Sequence, residues 1–279
     1  MNILNFLEEF TSENLVNKTS SRKDALKTFG SLSKKALLVS IPFGLAGSSK
    51  AYAFQDQNAA TGALQLALTL EYLEAEFYRR ALDSGVLPAG SRAEAVYQQI
   101  SKHETAHVEF LKAGLGDNSL ESPQFDFTAG GAFDPFNENS TGQEVAYAQL
   151  LALAQAFEDT GVRAYKGQAG NLMGTAFLTP ALQIHSVEAR HASEIRRLRA
   201  DVMGYDLDQN ALGWITLDNR GPGMPEATAA VYEGEEQITQ GGVNLVDATA
   251  FDAIAVSQAF DEPMTGQKAS EIAGLFIVS

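Results

Sequence analysis

Residues 182–198 read Leu182-Gln183-Ile184-His185-Ser186-Val187-Glu188-Ala189-Arg190-His191-Ala192-Ser193-Glu194-Ile195-Arg196-Arg197-Leu198, and they decide the fold. Apolar residues recur in and around this stretch in alternating steps of four and three: Phe177, Ala181 and Ile184 before Glu188, and Ile195, Leu198 and Val202 after His191. That is the spacing of a helix that buries one face. Two steps of the same stripe are filled by Glu188 and His191, so an acid and an imidazole occupy consecutive core positions. A buried, unpaired carboxylate is too costly to stand alone; it must be neutralised, paired or bound to metal.

Working outward, three further segments carry the same anomaly. One stripe runs Val96 or Tyr97, Ile100, Glu104, His107, Leu111, again with an acid and an imidazole three apart. Another gives Tyr147, Leu151, Ala154, Glu158, Gly161, Tyr165, and a fourth gives Leu64, Leu68, Glu71, Ala75 or Glu74, Tyr78. No Lys or Arg falls in register on these stripes. Four facing carboxylates would repel one another, and two divalent cations relieve that repulsion while using every donor. The candidate ligands are therefore Glu71, Glu104, His107, Glu158, Glu188 and His191. The phrase Leu70-Glu71, followed by six residues and Tyr78, recurs as Phe157-Glu158, six residues and Tyr165. Each of these glutamates precedes a Glu-x-x-His by about 30 residues, as two antiparallel helices joined by a short turn require.

Breakers set the expected helix limits. The first helix runs from Thr61 to Ser84 and stops at Gly85, with Pro88 beyond. The second starts at Ser91, an N-cap with Glu94 three residues on, and ends near Gly114–Gly116. The third spans Gly142 to Gln168 and the fourth Thr175 to Met203, with Pro180 near its start. Short first-to-second and third-to-fourth connections predict two helical hairpins. The second-to-third connection of about 25 residues is long for a compact domain. It holds Phe125, Phe127, Phe133 and Phe136, so it is expected to lie down on the bundle as an anchored crossover. The fold class is all-α: a four-helix bundle over residues 54–203 with one long crossover. Residues 204–279 read as an irregular extension packed on the bundle, ending in a short helix after Pro263, capped by Thr265 and carrying Ile272 and Leu275-Phe276-Ile277.

The chain's net charge of -15 argues against nucleic acid and anionic membranes as partners. The absence of cysteine excludes disulfides, thiolate nucleophiles, zinc–thiolate sites and iron–sulfur clusters, so any metal must sit on oxygen and imidazole nitrogen. Residues 1–53 differ from the rest, holding seven of the 20 basic residues and only four of the 35 acidic ones. Lys34-Lys35 precedes an apolar stretch of about 12 residues, Ala36 to Gly47, then Ala51-Tyr52-Ala53; together they read as an export signal too short to span a membrane. The segment Ser21-Arg22-Lys23 resembles a twin-arginine signal, with Lys23 in place of the second arginine. The alternative is an amphipathic N-terminal helix that stays attached.

The phrases Leu70-Glu71-Tyr72-Leu73-Glu74-Ala75-Glu76-Phe77-Tyr78 and His103-Glu104-Thr105-Ala106-His107 resemble the bacterial ferritin-like domain group, related to plant desiccation-related proteins. Phe260-Asp261-Glu262-Pro263 resembles the same group. The resemblance implies a ferritin-like bundle for residues 54–203, bridging roles for Glu104 and Glu188, terminal roles for Glu71 and Glu158, and one histidine per metal.

His103-Glu104-Thr105-Ala106-His107 also spells H-E-x-x-H, in which His103 and His107 would bind one zinc of a protease. That reading leaves Glu71, Glu158, Glu188 and His191 unexplained. Tyr78 and Tyr165 lie two turns from the metal glutamates and read as core tyrosines or as hydrogen-bond partners of the ligands. Glu74 and Glu76 are expected to face solvent, although Glu74 lies close enough to the stripe to serve as an extra ligand. Arg190, Arg196, Arg197 and Arg199 are expected to form a solvated helix face, and His185 to be either surface or near the ligands.

Two functions remain open. One is an exported, periplasmic or extracellular redox enzyme with two iron or manganese ions acting on peroxide, dioxygen or Fe(II). The other is a non-catalytic metal-binding protein of stress or desiccation. Neither needs a macromolecular partner beyond a homo-oligomer.

Overall fold

The computed structural model describes residues 57–205 and 213–278. The export signal expected in residues 1–53 lies outside them. Four long helices make the bundle: α1 (Gln57–Asp83), α2 (Arg92–Leu115), α3 (Gln143–Gln168) and α4 (Leu178–Met203). Helix α1 starts four residues earlier than Thr61 because Ala59 and Ala60 are strong helix formers. The turn after it uses Gly85 at φ 73°, a left-handed conformation that costs other residues energy. Ser91 caps α2, its hydroxyl accepting from the Glu94 amide at 3.1 Å, while the Glu94 carboxylate accepts from the Gly90 amide at 2.6 Å. Helix α4 begins three residues later than Thr175, because Thr175 and Phe177 are held in a turn: the Thr175 hydroxyl donates to the Leu172 carbonyl and accepts from the Phe177 amide. Pro180 then falls in the first turn of α4, where no intrahelical N–H bond is required. Gly204, left-handed at φ 70°, ends the helix.

Helices α1 and α2 pack as one hairpin and α3 and α4 as the other, with α1 against α3. Two separate apolar clusters fill the interior. One includes Leu73, Phe77, Tyr97, Ile100, Leu151, Phe157, Ile195 and Leu198; the other includes Leu64, Leu68, Leu111, Leu115, Leu172 and Ile184. Along every helix the candidate ligands fall between members of these two clusters. The expected α4 stripe ends one step early, since Val202 is exposed.

The crossover packs down as its phenylalanines require. Phe127, Phe133 and Phe136 are buried. The rings of Phe127 and Phe136 lie 5.4 and 5.7 Å from that of Phe77, centroid to centroid. The Arg80 guanidinium covers Phe136 at 4.6 Å. Asp134 closes the following loop, one carboxylate oxygen accepting from the amides of Asn139 and Thr141.

The chain beyond Gly204 is short turns of helix, a two-residue hairpin (Thr239–Gln240 with Val243–Asn244), and a closing helix α5 (Gly266–Gly274). Thr265 caps α5 as expected, accepting from the Lys268 amide. Helix α5 stops before Leu275, and Ile277 instead pairs with Phe125 of the crossover. The expectation of a solvated arginine face on α4 is half wrong. Arg190 and Arg197 are exposed, but Arg196 and Arg199 are buried. The extension covers that flank: Arg196 pairs with Asp159, which also accepts from the Tyr232 hydroxyl at 2.7 Å. Arg199 donates to Gln155 and to the Pro222 carbonyl. On α3, buried Arg163 pairs with Glu235 at 2.6 Å. Each buried cation therefore has a partner on the side away from the glutamates. No helix among the described residues is long and apolar enough to cross a membrane.

The extension docks so closely that α3 needs a glycine beneath it. The Met264 amide donates to the Arg163 carbonyl at 2.9 Å, and a Cβ on Gly167 would lie 1.8 Å from the Met264 carbonyl oxygen. Gly167→Ala is expected to cost about 1–3 kcal/mol, as overpacking does, despite alanine's better helix propensity. Urea unfolding would show the loss, and limited proteolysis should cut first beyond residue 204; an unchanged midpoint would contradict the docking.

Candidate metal centre

The local sequence brings the six candidate ligands together by simple register. Glu71 and Glu158 sit singly on α1 and α3. Glu104 with His107 on α2 and Glu188 with His191 on α4 lie three residues apart, so each pair shares a helix face. Glu71, Glu104, Glu158 and Glu188 are fully buried, His191 is 5% exposed, and the His107 side chain is 12% exposed.

The six form two overlapping groups, each compact enough to hold a metal ion. Glu71, Glu104, His107 and Glu188 make one; Glu104, Glu158, Glu188 and His191 make the other. Glu104 and Glu188 belong to both. Nδ1 of His107 lies 3.1 Å from Glu71, 3.0 Å from Glu104 and 3.2 Å from Glu188. Nδ1 of His191 lies 3.0 Å from Glu104, 3.1 Å from Glu158 and 3.3 Å from Glu188. Each imidazole thus points one nitrogen at three carboxylates.

One imidazole proton cannot serve three carboxylates. Oε1 of Glu104 and Oε1 of Glu188 are buried and accept no hydrogen bond, although each lies within ion-pair distance of an imidazole. The approach is close but badly directed. Both orphaned oxygens belong to the two glutamates shared between the groups, where a cation on each side would use them. Carboxylate oxygen and imidazole nitrogen suit iron and manganese, so the donor set fits a pair of such ions.

The two tyrosines are hydrogen-bonded to candidate ligands, and each crosses to the other half of the repeat. The Tyr78 hydroxyl donates to Oε1 of Glu158, and the Tyr165 hydroxyl donates to Oε1 of Glu71 at 2.5 Å. Partners of this kind fix a ligand's orientation. Burial and the adjoining carboxylates push both phenols well above their ordinary range, so they remain hydrogen-bond donors.

For two residues near the centre the sequence indicated only part of their place. Glu74, expected to face solvent, is 3% exposed, and burial followed by the charges of Glu188 and Glu158 pushes its carboxyl well up. It makes no hydrogen bond among the described residues. Its room comes from Gly161, whose absent Cβ would lie 3.3 Å from Oε1 of Glu74 and 3.4 Å from Cγ of Glu188. Gly161 stands three residues after Glu158 as Glu74 does after Glu71, so a Gly–Glu mismatch in the repeat was the available signal. Glu76 is partly exposed and bonded to Arg79, as a surface residue should be. His103, offered above only as a zinc ligand of the H-E-x-x-H phrase, instead lies edge to edge with His191, the ring centroids 5.1 Å apart and Nδ1 of His103 2.8 Å from Nε2 of His191. Among the described residues it joins neither metal-holding group. His185 binds the main chain, its Nδ1 lying 2.9 Å from the Val162 carbonyl oxygen.

The ionisation of the cluster follows from its burial. Burial works to raise Glu188, but the two imidazoles close against it overcome that and hold the carboxyl at about 2. Glu104 is raised to about 8 by burial and the Glu188 charge; burial first, then neighbouring charge, also raises Glu71. Burial raises Glu158 against the pull of His191. Burial opposes the charging of His107, yet the three carboxylates at its Nδ1 push it up to about 12. Burial likewise opposes the charging of His191, and the carboxylates, Glu158 foremost, raise it all the same.

These directions fix how the metal-free protein responds to pH. A carboxyl raised on folding contributes stability fully present below about 4.5 and lost as pH climbs through its folded value, about 8 for Glu104. The share from raised His107 has the same sign, lost between 6.5 and about 12. Glu188 acts oppositely, but only below its ordinary 4.5. Denaturation of the metal-stripped protein should therefore show falling stability from about pH 5 to pH 8, and Glu74→Gln should make the fall shallower. A flat or rising profile would contradict this electrostatic picture.

Residues 59–201, just over half of the chain and including all six residues, match the family model described as "Ferritin-like domain". No curated protein matches the chain.

Proposed function

The chain belongs to the ferritin-like domain family, and from that premise we propose that it is an exported redox protein carrying a pair of iron or manganese ions. The observation that carries this reading is the pair of orphaned, buried oxygens on Glu104 and Glu188, the two residues common to both metal-holding groups. In this reading Glu104 and Glu188 would serve both ions. Glu71 with His107 completes one position, and Glu158 with His191 completes the other. Bound iron or manganese supplies redox chemistry towards peroxide, dioxygen or Fe(II).

The chain's own residues prepare the centre for that work. Four carboxylates balance two divalent charges. Tyr165 and Tyr78 keep Glu71 and Glu158 turned towards the centre, and the apolar clusters on either side exclude bulk water. The His107 edge, at 12% side-chain exposure, is the least covered part of the six and is where a small inorganic substrate would approach. Export would be directed by the basic stretch, the apolar run and Ala51-Tyr52-Ala53 of the leader, and N-terminal sequencing of protein recovered from outside the cytoplasm would test it.

Elemental analysis of protein from its native host should find about two iron or manganese ions per chain, as two groups with one histidine each require. Glu188→Gln should lose both ions, because it removes a shared ligand. The reconstituted protein should either release oxygen from peroxide or oxidise Fe(II). Two bound ions with neither reaction would make this a non-catalytic metal-binding protein; no bound ion would overturn the reading altogether.

A further inference from the structure

The two halves of the centre are built from a repeat, and the repeat is broken at the nitrogens that face away from the carboxylates. Nδ1 of both His107 and His191 faces the glutamates, leaving each Nε2 on the outer side. Nε2 of His191 lies 2.8 Å from Nδ1 of His103, and the two rings are within 13° of parallel. Nε2 of His103 lies in turn 2.7 Å from the side-chain amide of Gln99, one turn back along α2. Among the described residues, Nε2 of His107 makes no protein hydrogen bond. The sequence explains the difference. His103 immediately precedes Glu104, whereas Val187 immediately precedes Glu188, and valine has nothing to offer an imidazole.

We propose that His103 is a positioning residue for the metal centre, holding His191 through its Nε2 so that the position served by His191 binds metal more tightly than the one served by His107. The inference rests on the metal-binding reading above. When Nδ1 of His191 gives its lone pair to a metal, the ring's proton must sit on Nε2, and Nδ1 of His103 is the acceptor placed to receive it. The proton of His103 then sits on its own Nε2, and the Gln99 amide accepts it by turning its oxygen inward. When no metal is bound and His191 is an imidazolium, both its nitrogens donate, Nδ1 to the carboxylates and Nε2 to Nδ1 of His103. Imidazole at position 103 can accept that proton in both states, which an apolar side chain cannot. Groups that hold a metal-bound histidine in this way are typically worth about 10–100-fold in metal affinity.

The experiment is a titration of metal-stripped protein with Co(II), followed by visible absorption and calorimetry, for wild type, His103→Leu and His103→Asn. Wild type should take up two equivalents of unequal affinity. His103→Leu should weaken the tighter equivalent about 10–100-fold and leave the other within a few-fold. His103→Asn places an acceptor oxygen where Nδ1 stood and should restore most of the loss. The NMR signal of a hydrogen-bonded imidazole N–H in the loaded wild type should vanish in His103→Leu and persist in His103→Asn. Position 103 is partly exposed, and circular dichroism will show that both variants fold. Uptake of two equivalents with unchanged affinities in His103→Leu, or equal weakening of both, overturns the inference alone. No uptake by wild type overturns the metal reading and the inference with it.

Discussion

The structure depends on one constraint: four glutamates and two histidines share a layer of the bundle interior where a helical protein would normally place leucine and valine. Burying that much charge is tolerable only if it is neutralised locally. Imidazolium protons do part of this, since each histidine faces three carboxylates. They cannot do all of it, and the oxygens of Glu104 and Glu188 left without donors mark the shortfall. The two apolar clusters on either side supply the packing that the polar layer does not.

Around that layer the chain divides its tasks by face. Buried Arg163, Arg196 and Arg199 lie on flanks turned from the glutamates and are engaged by Glu235, Asp159 and Gln155. Their engagement fastens the extension to α3 and α4 without placing a competing cation in the centre. Phe77, Phe127 and Phe157 tie the crossover to the bundle at one end. The tyrosines link the halves: Tyr78 of α1 donates to Glu158 of α3, and Tyr165 of α3 donates to Glu71 of α1. The repeat is thus symmetric in its candidate ligands and asymmetric in its surroundings, with Glu74 opposite Gly161 and His103 opposite Val187.

Much of this was legible in the sequence because helical periodicity is a strong signal over 25 residues. An acid or imidazole that replaces a leucine in a stripe is conspicuous. The six residues, the two hairpins, the Ser91 and Thr265 caps and the anchored crossover could all be read that way. What escaped depends on contacts between distant segments. Arg196 and Arg199 look like a solvated face until residues 220–232 cover them. Glu74 looks exposed on its own helix, and only a glycine on α3 gives it room inside. His103 lies about 100° round the helix from Glu104, yet α4 approaches closely enough for His191 to meet it. Periodicity describes one helix at a time, and each of these features belongs to two.

The most direct test of the account is anomalous X-ray diffraction from crystals of the metal-loaded protein, recorded at the iron and manganese absorption edges. The account predicts two adjacent peaks lying between Glu104 and Glu188, one beside Glu71 and His107 and the other beside Glu158 and His191, with His103 ligating neither. No peak, or a single peak held between His103 and His107, would contradict it.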